Sequence, residues 1–147
     1  MSQNHVDPKR IYLAGSFSRC DELNIYAREL RKMGYVIDCR WLQGLHQARP
    51  GAAFVESSSD IPDEAADFAI DDVKDISFSD IVISFTGGLG TTKRGGRHVE
   101  FGIAVAWAKR KIIVGPRENV FHCLPGVEHY STWEQCRKVL EVNHESR

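Results

Sequence analysis

The sequence lacks the features that would place a protein in a membrane or on a polyanion. No apolar run approaches the ~18 residues of a membrane-spanning helix, and the N-terminal stretch MSQNHVDPKR lacks the apolar core of a signal peptide. There is also no excess of charge of either sign, since the formal net charge is −1 at pH 7. This balance gives no electrostatic reason to expect nucleic acid or an anionic membrane as a partner. We therefore expect a cytoplasmic protein that binds neither.

Cysteine is scarce, and the four cysteines form no CxxC pair. Their strand and helix contexts fit reduced thiols better than a disulfide framework. Four residues near the C-terminus, His122, Cys123, His129 and Cys136, have spacings that match no common set of zinc ligands. We therefore expect no metal site.

Three catalytic or cofactor-binding motifs are also absent. The loop GTTKRGGR does not end in the Lys-Ser/Thr pair of a P-loop, no GxGxxG follows a predicted strand, and no GxSxG elbow occurs. These absences disfavour ATP hydrolysis, a nicotinamide cofactor and a Ser-His-Asp hydrolase. We expect the protein to act without a cofactor.

The sequence does contain a regular alternation of strand and helix patterns, over a length that suits one domain, residues 1–147. Strands are predicted at 10–14, 35–41, 81–85 and 111–114, with a further short strand at 127–130. Helices are predicted from about residue 20 to Gly34, from Asp60 and Pro62 to Ile76, from the end of a glycine-rich loop to Lys109, and from a cap at Ser131 or Thr132 onwards. The alternation predicts an α/β fold with a single doubly wound, flavodoxin- or Rossmann-like parallel sheet and helices on both faces.

Apolar residues at helical spacing predict which face the first two helices bury. They are Leu23, Tyr26, Ala27, Leu30 and Met33 in the first helix, and Ala65, Phe68 or Ala69, Val73 and Ile76 in the second. Residues 42–59, which precede the second helix, are polar and have no clear period. We expect them to form either a loop that covers the site or a mobile lid.

The most informative stretch is 86–102, TGGLGTTKRGGRHVEFG, which joins the apolar strand IVISF to a helix. Its glycines let the backbone approach a ligand and adopt positive φ, and its cationic side chains favour an anion. Glu100 is its only acid and lies just inside the helix. The glycines are Gly87, Gly88, Gly90, Gly95 and Gly96, and the cations are Lys93, Arg94 and Arg97.

In a doubly wound sheet the ligand binds outside the carboxyl ends of the strands. This rule brings together four loops, at 15–20, from 42 onwards, at 86–97 and at 115–119. In the first loop, Ser16, Ser18 and Arg19 either form a turn that caps the next helix or bind a phosphate at its N-terminus. With the motifs above excluded, what remains is carboxylate chemistry on a small ligand that carries a phosphate or a sugar.

Three segments then form a recognisable pattern: IYLAGSFS from Ile11, DVKDISFSDIVI from Asp72, and HVEFGIAVAWAKRKIIVG from His98. In this order they resemble the nucleoside 2-deoxyribosyltransferase family, which includes the deoxynucleoside 5′-monophosphate N-glycosidases. The likeness runs from Ile11 to about Tyr130, and its most specific part is the block Glu-Phe-Gly-Ile-Ala.

The resemblance implies roles for four residues. Glu100 would be the nucleophile that attacks the anomeric carbon, and Asp72 would handle the base. Tyr12 would line the pocket, and Asn119 would be the polar residue of the last loop that is commonly supplied across a subunit interface, which implies a homo-oligomer. Two acids suit such chemistry, because one can trap the oxocarbenium-like sugar as a covalent ester while another with a raised pKa assists the departing base.

Two departures from the transferases that act on free nucleosides favour a 5′-phosphate on the substrate. The residues before Glu100 are KRGGR, where those enzymes tend to have an acid that holds the sugar hydroxyls, and the first loop carries serine and arginine as in the nucleotide-cleaving branch. We therefore expect the two acids to be surrounded by a substrate pocket formed by Tyr12, Gly15, Ser16, Ser18, Arg19, Gly88, Gly96, Arg97 and Asn119.

The sequence thus predicts an enzyme that cleaves the N-glycosidic bond of a (deoxy)nucleoside or nucleotide and transfers the deoxyribosyl group to another base. Hydrolysis of a deoxynucleoside 5′-monophosphate is the alternative, and a nucleotide-binding module without catalysis is a third hypothesis. Each residue also has an ordinary structural explanation: Glu100 as a carboxylate favoured by the helix dipole, Asp72 as one solvated acid beside Asp71 and Asp75, Tyr12 as a core aromatic, and Asn119 as a turn residue.

Overall fold

The computed structural model describes residues 7–44, 64–88 and 95–145. Within these ranges the chain forms a four-stranded parallel sheet in the order β1-β2-β3-β4, which confirms the predicted α/β fold. The strands are β1 (Ile11–Ala14), β2 (Ile81–Phe85), β3 (Arg110–Val114) and β4 (Glu128–Tyr130). The helices are α1 (Cys20–Lys32), α2 (Glu64–Phe78), α3 (Gly96–Ala106) and α4 (Trp133–Glu145). In this part of the chain no helix is both long and apolar enough to cross a membrane.

The direction of the crossovers explains why helices lie on both faces of the sheet. From β1 the chain runs through α1 to Val36, which bridges Arg10 on the outer side of β1, and it then returns through α2 to β2 on the other side. Right-handed crossovers in opposite directions place their helices on opposite faces. Accordingly α1 packs on α4, with the rings of Tyr26 and Trp133 4.5 Å apart, whereas α2 packs on α3. The reversal falls between the carboxyl ends of β1 and β2, where such sheets bind ligands.

Alternation along the strands separates two buried layers. Phe85 points towards α1 and α4, where its ring lies 5.6 Å from Tyr26 and 5.9 Å from Trp133. Ser84, the preceding residue, must point to the opposite face, and the register of β1 on β2 places Tyr12 on the same face as Ser84. The polar side chains of the two strands therefore face α2 and α3.

The predicted strand at 35–41 is wrong. Only Val36 forms a bridge, to Arg10, and the chain then turns into a short 3₁₀ helix at Arg40–Gln43. The apolar residues of this segment are buried as expected, but they are not part of the hydrogen-bonded sheet.

Side chains replace the missing backbone ladder along the outer edge of β1. The Leu13 N–H donates to Cys39 Sγ at 3.3 Å, and the Leu13 carbonyl accepts a 2.8 Å hydrogen bond from Trp41 Nε1. The backbone N–H of Arg40 donates to Asp75 of α2 at 3.0 Å. These hydrogen bonds satisfy backbone N–H and C=O groups at the outer edge of β1, so residues 35–41 do not have to pair with it as a strand.

Helix α1 buries the face that its spacing predicts, with Leu23, Ala27 and Leu30 fully enclosed. Gly34 ends it in a left-handed conformation with φ 102°. At α4 the predicted cap is confirmed at Thr132, whose hydroxyl accepts from the Gln135 N–H at 3.3 Å.

Two helix predictions need correction. In α2, Ile76 is buried as expected, but Val73 is 39% exposed, because the inward face of this helix also carries acidic residues. Helix α3 ends at Ala106 rather than Lys109, since Ala108 adopts a positive φ of 53°. The predicted start at Asp60 and Pro62, and residues 45–59 of the predicted covering loop, lie outside the described residues.

Candidate active site

Three ionisable side chains from three different elements meet on the side of the sheet that faces α2 and α3. Tyr12 comes from β1, Asp72 from α2 and Glu100 from α3. They are close enough for Glu100 and Asp72 both to act on the Tyr12 hydroxyl, and for Asp72 to act on Glu100. The fold therefore brings together three residues that lie in separate segments of the sequence.

Burial dominates the electrostatics of this cluster. Loss of solvation raises the pKa of Glu100 to about 8, while the Tyr12 hydroxyl lowers that pKa and the charge of Asp72 raises it. Burial also raises the pKa of Tyr12 well above its usual value, and the charges of Glu100 and Asp72 add to the effect. The sequence analysis expected a raised pKa for the acid that assists the base, whereas the structure shows one for Glu100.

Four buried polar atoms on this side of the sheet have no hydrogen-bond partner among the described residues: Tyr12 Oη, Ser84 Oγ, Arg97 Nε and Glu100 Oε2. The Tyr12 hydroxyl is near enough to lower the pKa of the Glu100 carboxyl, although it has no hydrogen-bond partner among the described residues. An unpaired buried polar atom costs about 1–3 kcal/mol. Such a group of atoms is typical of a site whose hydrogen bonds a ligand completes.

Ser84 is the residue of this group that the sequence analysis did not single out. It is fully buried in β2, and it stands between apolar neighbours in the strand IVISF. The signal was present, because this is the only hydroxyl in the strand and strand alternation points it away from Phe85. Without the register of β1 on β2, nothing linked it to Tyr12.

The start of α3 determines where Glu100 lies. The helix begins at Gly96, after Gly95 in a left-handed conformation with φ 77°, so Glu100 is in the second turn and no acid is in the first. The helix dipole therefore does not by itself explain this carboxylate. Glu100 Oε1 lies 3.9 Å from the position that a Cβ on Gly96 would occupy, so the glycine leaves one side of the carboxyl open.

Asp72 differs from the two acids beside it. Arg40, in the 3₁₀ helix after α1, pairs with Asp71 Oδ1 at 2.9 Å and with Asp75 Oδ1 at 2.9 Å. Asp72 also acts on Arg40, but its charge raises the pKa of Tyr12 and of Glu100 as well. These three acids are therefore not interchangeable, and the explanation of Asp72 as one more solvated acid loses support.

Arg19 joins the first loop to the loop after β2. Its guanidinium donates to both carboxylate oxygens of Glu22, at 3.0 and 2.6 Å, and to the Thr86 carbonyl at 3.1 Å. Its centre lies 5.7 Å from the centroid of the Phe85 ring, and its Cδ would be 4.0 Å from a Cβ on Gly88. The convergence of these two strand ends is confirmed, and these contacts use three of the five N–H groups of Arg19.

The other predicted residues of the first loop have mixed surroundings. Ser16 Oγ and Ser18 Oγ are 3.3 Å apart near the surface, and neither Ser16 nor Arg19 makes a side-chain cap at the helical turn that it precedes. Packing explains the glycine at position 15, since a Cβ there would lie 2.8 Å from Leu23 Cδ1. The capping explanation for Ser16 is thus weakened, and a role in binding stays a prediction.

Two other predicted pocket residues, Arg97 and Asn119, already have partners within the chain. Arg97 is only 5% exposed and pairs with Glu118 at 2.9 Å, so its charge is already balanced. Asn119 caps the 3₁₀ helix Val120–Cys123 by accepting from the Phe121 N–H, and its side chain lies beside His98. Because His98 and Glu100 are two residues apart on a helix, they point in different directions. Asn119 therefore does not meet Glu100 of its own chain.

No group of three or more His, Cys, Asp or Glu side chains in the described ranges is arranged to hold a metal ion. Arg94, one of the predicted cations of the glycine-rich loop, lies outside those ranges.

Solved structures with a similar fold include a CMP N-glycosidase from Clostridium botulinum, with a TM-score of 0.58 at 19% sequence identity over 90% of this chain and 99% of that chain. A 2-deoxyribosyltransferase from Bacillus psychrosaccharolyticus has a TM-score of 0.62 at 16% identity, over 89% of this chain and 95% of its own. A conserved protein from Enterococcus faecalis V583 has a TM-score of 0.62 at 13% identity, over 92% of this chain and 99% of its own.

No protein-family model matches the chain, and no curated protein matches it at a significant level. At identities this low, the structural likeness shows the fold alone. It confirms that the fold implied by the sequence resemblance is correct, since it is the fold of the 2-deoxyribosyltransferase.

The buried carboxyl predicts a pH-dependent stability. Folding raises the pKa of the Glu100 carboxyl from 4.5 to about 8. The contribution of this carboxyl to the free energy of unfolding is therefore fully present below about pH 4.5, and it is lost as the pH rises through 8. Glu100→Gln removes this loss, so we expect it to raise the free energy of unfolding at pH 7 by on the order of 3 kcal/mol and to have almost no effect at pH 4. Urea denaturation across this range measures the difference.

Glu141→Gln is the matched control, because Glu141 is exposed on α4. It should change the free energy of unfolding by less than about 0.5 kcal/mol at every pH. A Glu100→Gln variant that gains nothing between pH 4 and 7 would show that the carboxyl is not desolvated.

Proposed function

We propose that the protein cleaves the N-glycosidic bond of a nucleoside or nucleotide through a covalent glycosyl ester on Glu100. The observation that carries this proposal is the cluster of Tyr12, Asp72 and Glu100, with buried polar atoms left unpaired. The shared fold adds support, because an N-glycosidase and a 2-deoxyribosyltransferase are among the similar structures.

The chemistry follows from two acids with different neighbours. The Glu100 carboxylate attacks the anomeric carbon and forms a C–O bond while the C–N bond breaks, and the electron pair of that bond leaves with the base. Asp72 donates a proton or a hydrogen bond to the departing nitrogen. In the second half, a new base nitrogen attacks the same carbon, loses its proton to Asp72 and restores the Glu100 carboxylate.

A nucleophile must be ionised, which a pKa of about 8 opposes at neutral pH. Positive charge that develops on the sugar as the C–N bond breaks stabilises the carboxylate, so the ionised form of Glu100 is favoured in the transition state. The Tyr12 hydroxyl, which has no other partner among the described residues, can donate to the carboxylate and fix its orientation. Because the Glu100 carboxylate is buried, water does not solvate its charge, and this favours its attack on the sugar.

Transfer and hydrolysis differ only in the molecule that accepts the sugar in the second step of the reaction. A base held in the pocket accepts the sugar in a deoxyribosyltransferase, whereas water accepts it in an N-glycosidase. The sequence resemblance favours transfer. The first loop favours the second candidate, hydrolysis of a 5′-monophosphate, because Arg19 is held where the ends of β1 and β2 meet and, although Glu22 pairs with it, its described contacts leave two of its N–H groups for a phosphate.

The proposal includes a homo-oligomer, because Asn119 lies away from the Glu100 of its own chain. The 3₁₀ helix that Asn119 caps carries three exposed apolar side chains: Val120 is 76% exposed, Phe121 62% and Leu124 37%. Contact with a second copy would bury them and could bring Asn119 to the neighbour's site.

The first prediction tests the two acids. Glu100→Ala should reduce turnover of nucleosides and nucleotides by ~10³-fold or more, and Asp72→Asn by ~10²-fold or more, with the fold intact. Asp71→Asn is the control, because its neighbour carries the proposed role while Asp71 pairs with Arg40. Product chromatography, with and without an acceptor base, measures the rates and separates transfer from hydrolysis. Turnover by Glu100→Ala near that of the wild type would refute the nucleophile.

The second prediction tests the phosphate. Since a charge-assisted hydrogen bond contributes about 1.5–3 kcal/mol, Arg19→Ala should weaken binding of deoxynucleoside 5′-monophosphates by about 10- to 150-fold and leave nucleosides unaffected. Calorimetry on the Glu100→Ala background prevents turnover. Arg137→Ala removes a comparable ion pair, with Glu134 on α4, and should change neither affinity. If the protein with Arg19 intact binds nucleosides and 5′-monophosphates with equal affinity, the phosphate pocket is refuted. Transfer between free nucleosides is then the remaining candidate.

The third prediction tests assembly. Light scattering should give a dimer or larger species, and Phe121→Asp should dissociate it and lower activity, because a charge in an apolar interface is costly. Val142→Asp is the control, because Val142 is also 62% exposed but lies on α4. A fully active monomer would contradict this part of the proposal.

A further inference from the structure

The loop that carries Asn119 is joined to α3 by the Arg97–Glu118 ion pair and folds around a buried histidine. The backbone N–H of Glu118 donates to His122 Nδ1 at 3.0 Å. Asn119 Oδ1 accepts from the Phe121 N–H at 2.9 Å, and its Nδ2 lies 3.5 Å from Nδ1 of His98 on α3. His122 is only 1% exposed, although it lies just beneath the surface, and its ring packs edge-on against Phe101 of α3 with centroids 5.0 Å apart.

We infer that His122 is a positioning residue: its neutral ring accepts the Glu118 N–H and so holds the loop 118–123 in the shape that packs against α3, and its protonation breaks that bond and releases Asn119. We call these contacts the histidine latch, formed by His98, Glu118, Asn119 and His122. The inference rests on the proposed function only in giving Asn119 a part in catalysis, since the latch itself is a matter of hydrogen bonding.

The geometry determines which protonation state can hold the loop. An imidazole nitrogen accepts a hydrogen bond only when it carries no proton, and both ring nitrogens of a cationic histidine are donors. The Glu118 N–H therefore needs Nδ1 of His122 to be unprotonated. A proton on Nδ1 would put two donors face to face and leave the buried N–H without its acceptor.

The surrounding charges also oppose a cation at His122. From α3 it is faced by Arg97 and His98, from β4 by His129, and from its own loop by the carboxylate of Glu118, which Arg97 already pairs at 2.9 Å. Burial lowers the pKa of His122, the neighbouring His98 and Arg97 lower it further, and only Glu118 raises it. The latch is therefore stable near neutral pH and opens in acid.

The consequence for the proposed enzyme is a specific acid sensitivity. Arg97 and His98 begin the helix that carries Glu100, so the same first turn of α3 supports both the proposed nucleophile and the loop of Asn119. Opening the latch would displace Asn119 while the sheet and Glu100 stay in place. In that case acid removes the contribution of Asn119 before it unfolds the protein.

Amide hydrogen exchange of the wild-type protein tests the latch without any assay of activity. After correction for the intrinsic exchange rate, the protection of the Glu118 amide should fall at least about tenfold between pH 7.5 and pH 4.5. The Thr86 amide, which donates to the Val114 carbonyl at 2.9 Å, is the internal control and should stay protected. Protection of Glu118 that does not change with pH, or that falls in parallel with Thr86, would overturn the inference.

Two substitutions separate positioning from simple packing. His122→Asn places an amide oxygen near the position of Nδ1 and cannot titrate, so Glu118 should be as protected at pH 4.5 as at pH 7.5. His122→Leu fills the space without an acceptor, so protection should be low at both pH values. If protection of the Glu118 amide falls equally in acid in His122→Asn, another group causes the effect and the inference is refuted. If a variant does not fold, the measurement on the wild-type protein decides.

The kinetic readout links the latch to catalysis. In the wild type, kcat/KM for a deoxynucleoside or its 5′-monophosphate should fall in acid together with Glu118 protection, and His122→Asn should shift that fall to lower pH. If protection changes but no substrate is turned over at any pH, the latch stands and the proposed function fails. If turnover occurs and its acid limb is the same in His122→Asn, the positioning role is refuted.

Discussion

Burial of the Glu100 carboxyl between α3 and β1 is the constraint on which the rest of the site depends. Desolvation moves its pKa to about 8, with the charge of Asp72 adding to the rise and only the Tyr12 hydroxyl opposing it. The same burial leaves Tyr12 Oη and Glu100 Oε2 unpaired among the described residues. The protein thus keeps a destabilised arrangement that a polar, positively polarised ligand would relieve.

Packing of the loops keeps that arrangement in place. The Thr86 hydroxyl donates to the Pro116 carbonyl at 2.6 Å, and the Thr86 carbonyl accepts from Arg19. Gly115, with φ 114°, permits this approach, because a Cβ there would come within 2.6 Å of the Thr86 carbonyl oxygen. The ends of β1, β2 and β3 are therefore tied together, and the glycine-rich loop starts from a fixed point.

Sequence analysis succeeded where the information is local. The buried face of α1, the end of that helix at Gly34 and the parallel sheet all follow from spacing and from single residues with special backbone requirements. The prediction of a strand at 35–41 was wrong. This apolar segment has the composition of a strand, but side chains rather than a backbone ladder bind the neighbouring edge of β1. The hydrogen bonds of Cys39 and Trp41 to Leu13 join residues far apart in sequence, so no local pattern contains them.

The sequence by itself determined the order of the elements and the position of the switch point, because burial patterns and glycines are properties of short segments. The two acids on which the proposed chemistry rests are what the family resemblance implies. Only the tertiary structure decided what surrounds each acid. Asp71 and Asp72 are adjacent and chemically identical, but Asp71 forms an ion pair with Arg40, whereas the charge of Asp72 also reaches Tyr12 and Glu100. Such a distinction arises from packing between distant segments, and for that reason Ser84 and the His122 contacts became visible only in the fold.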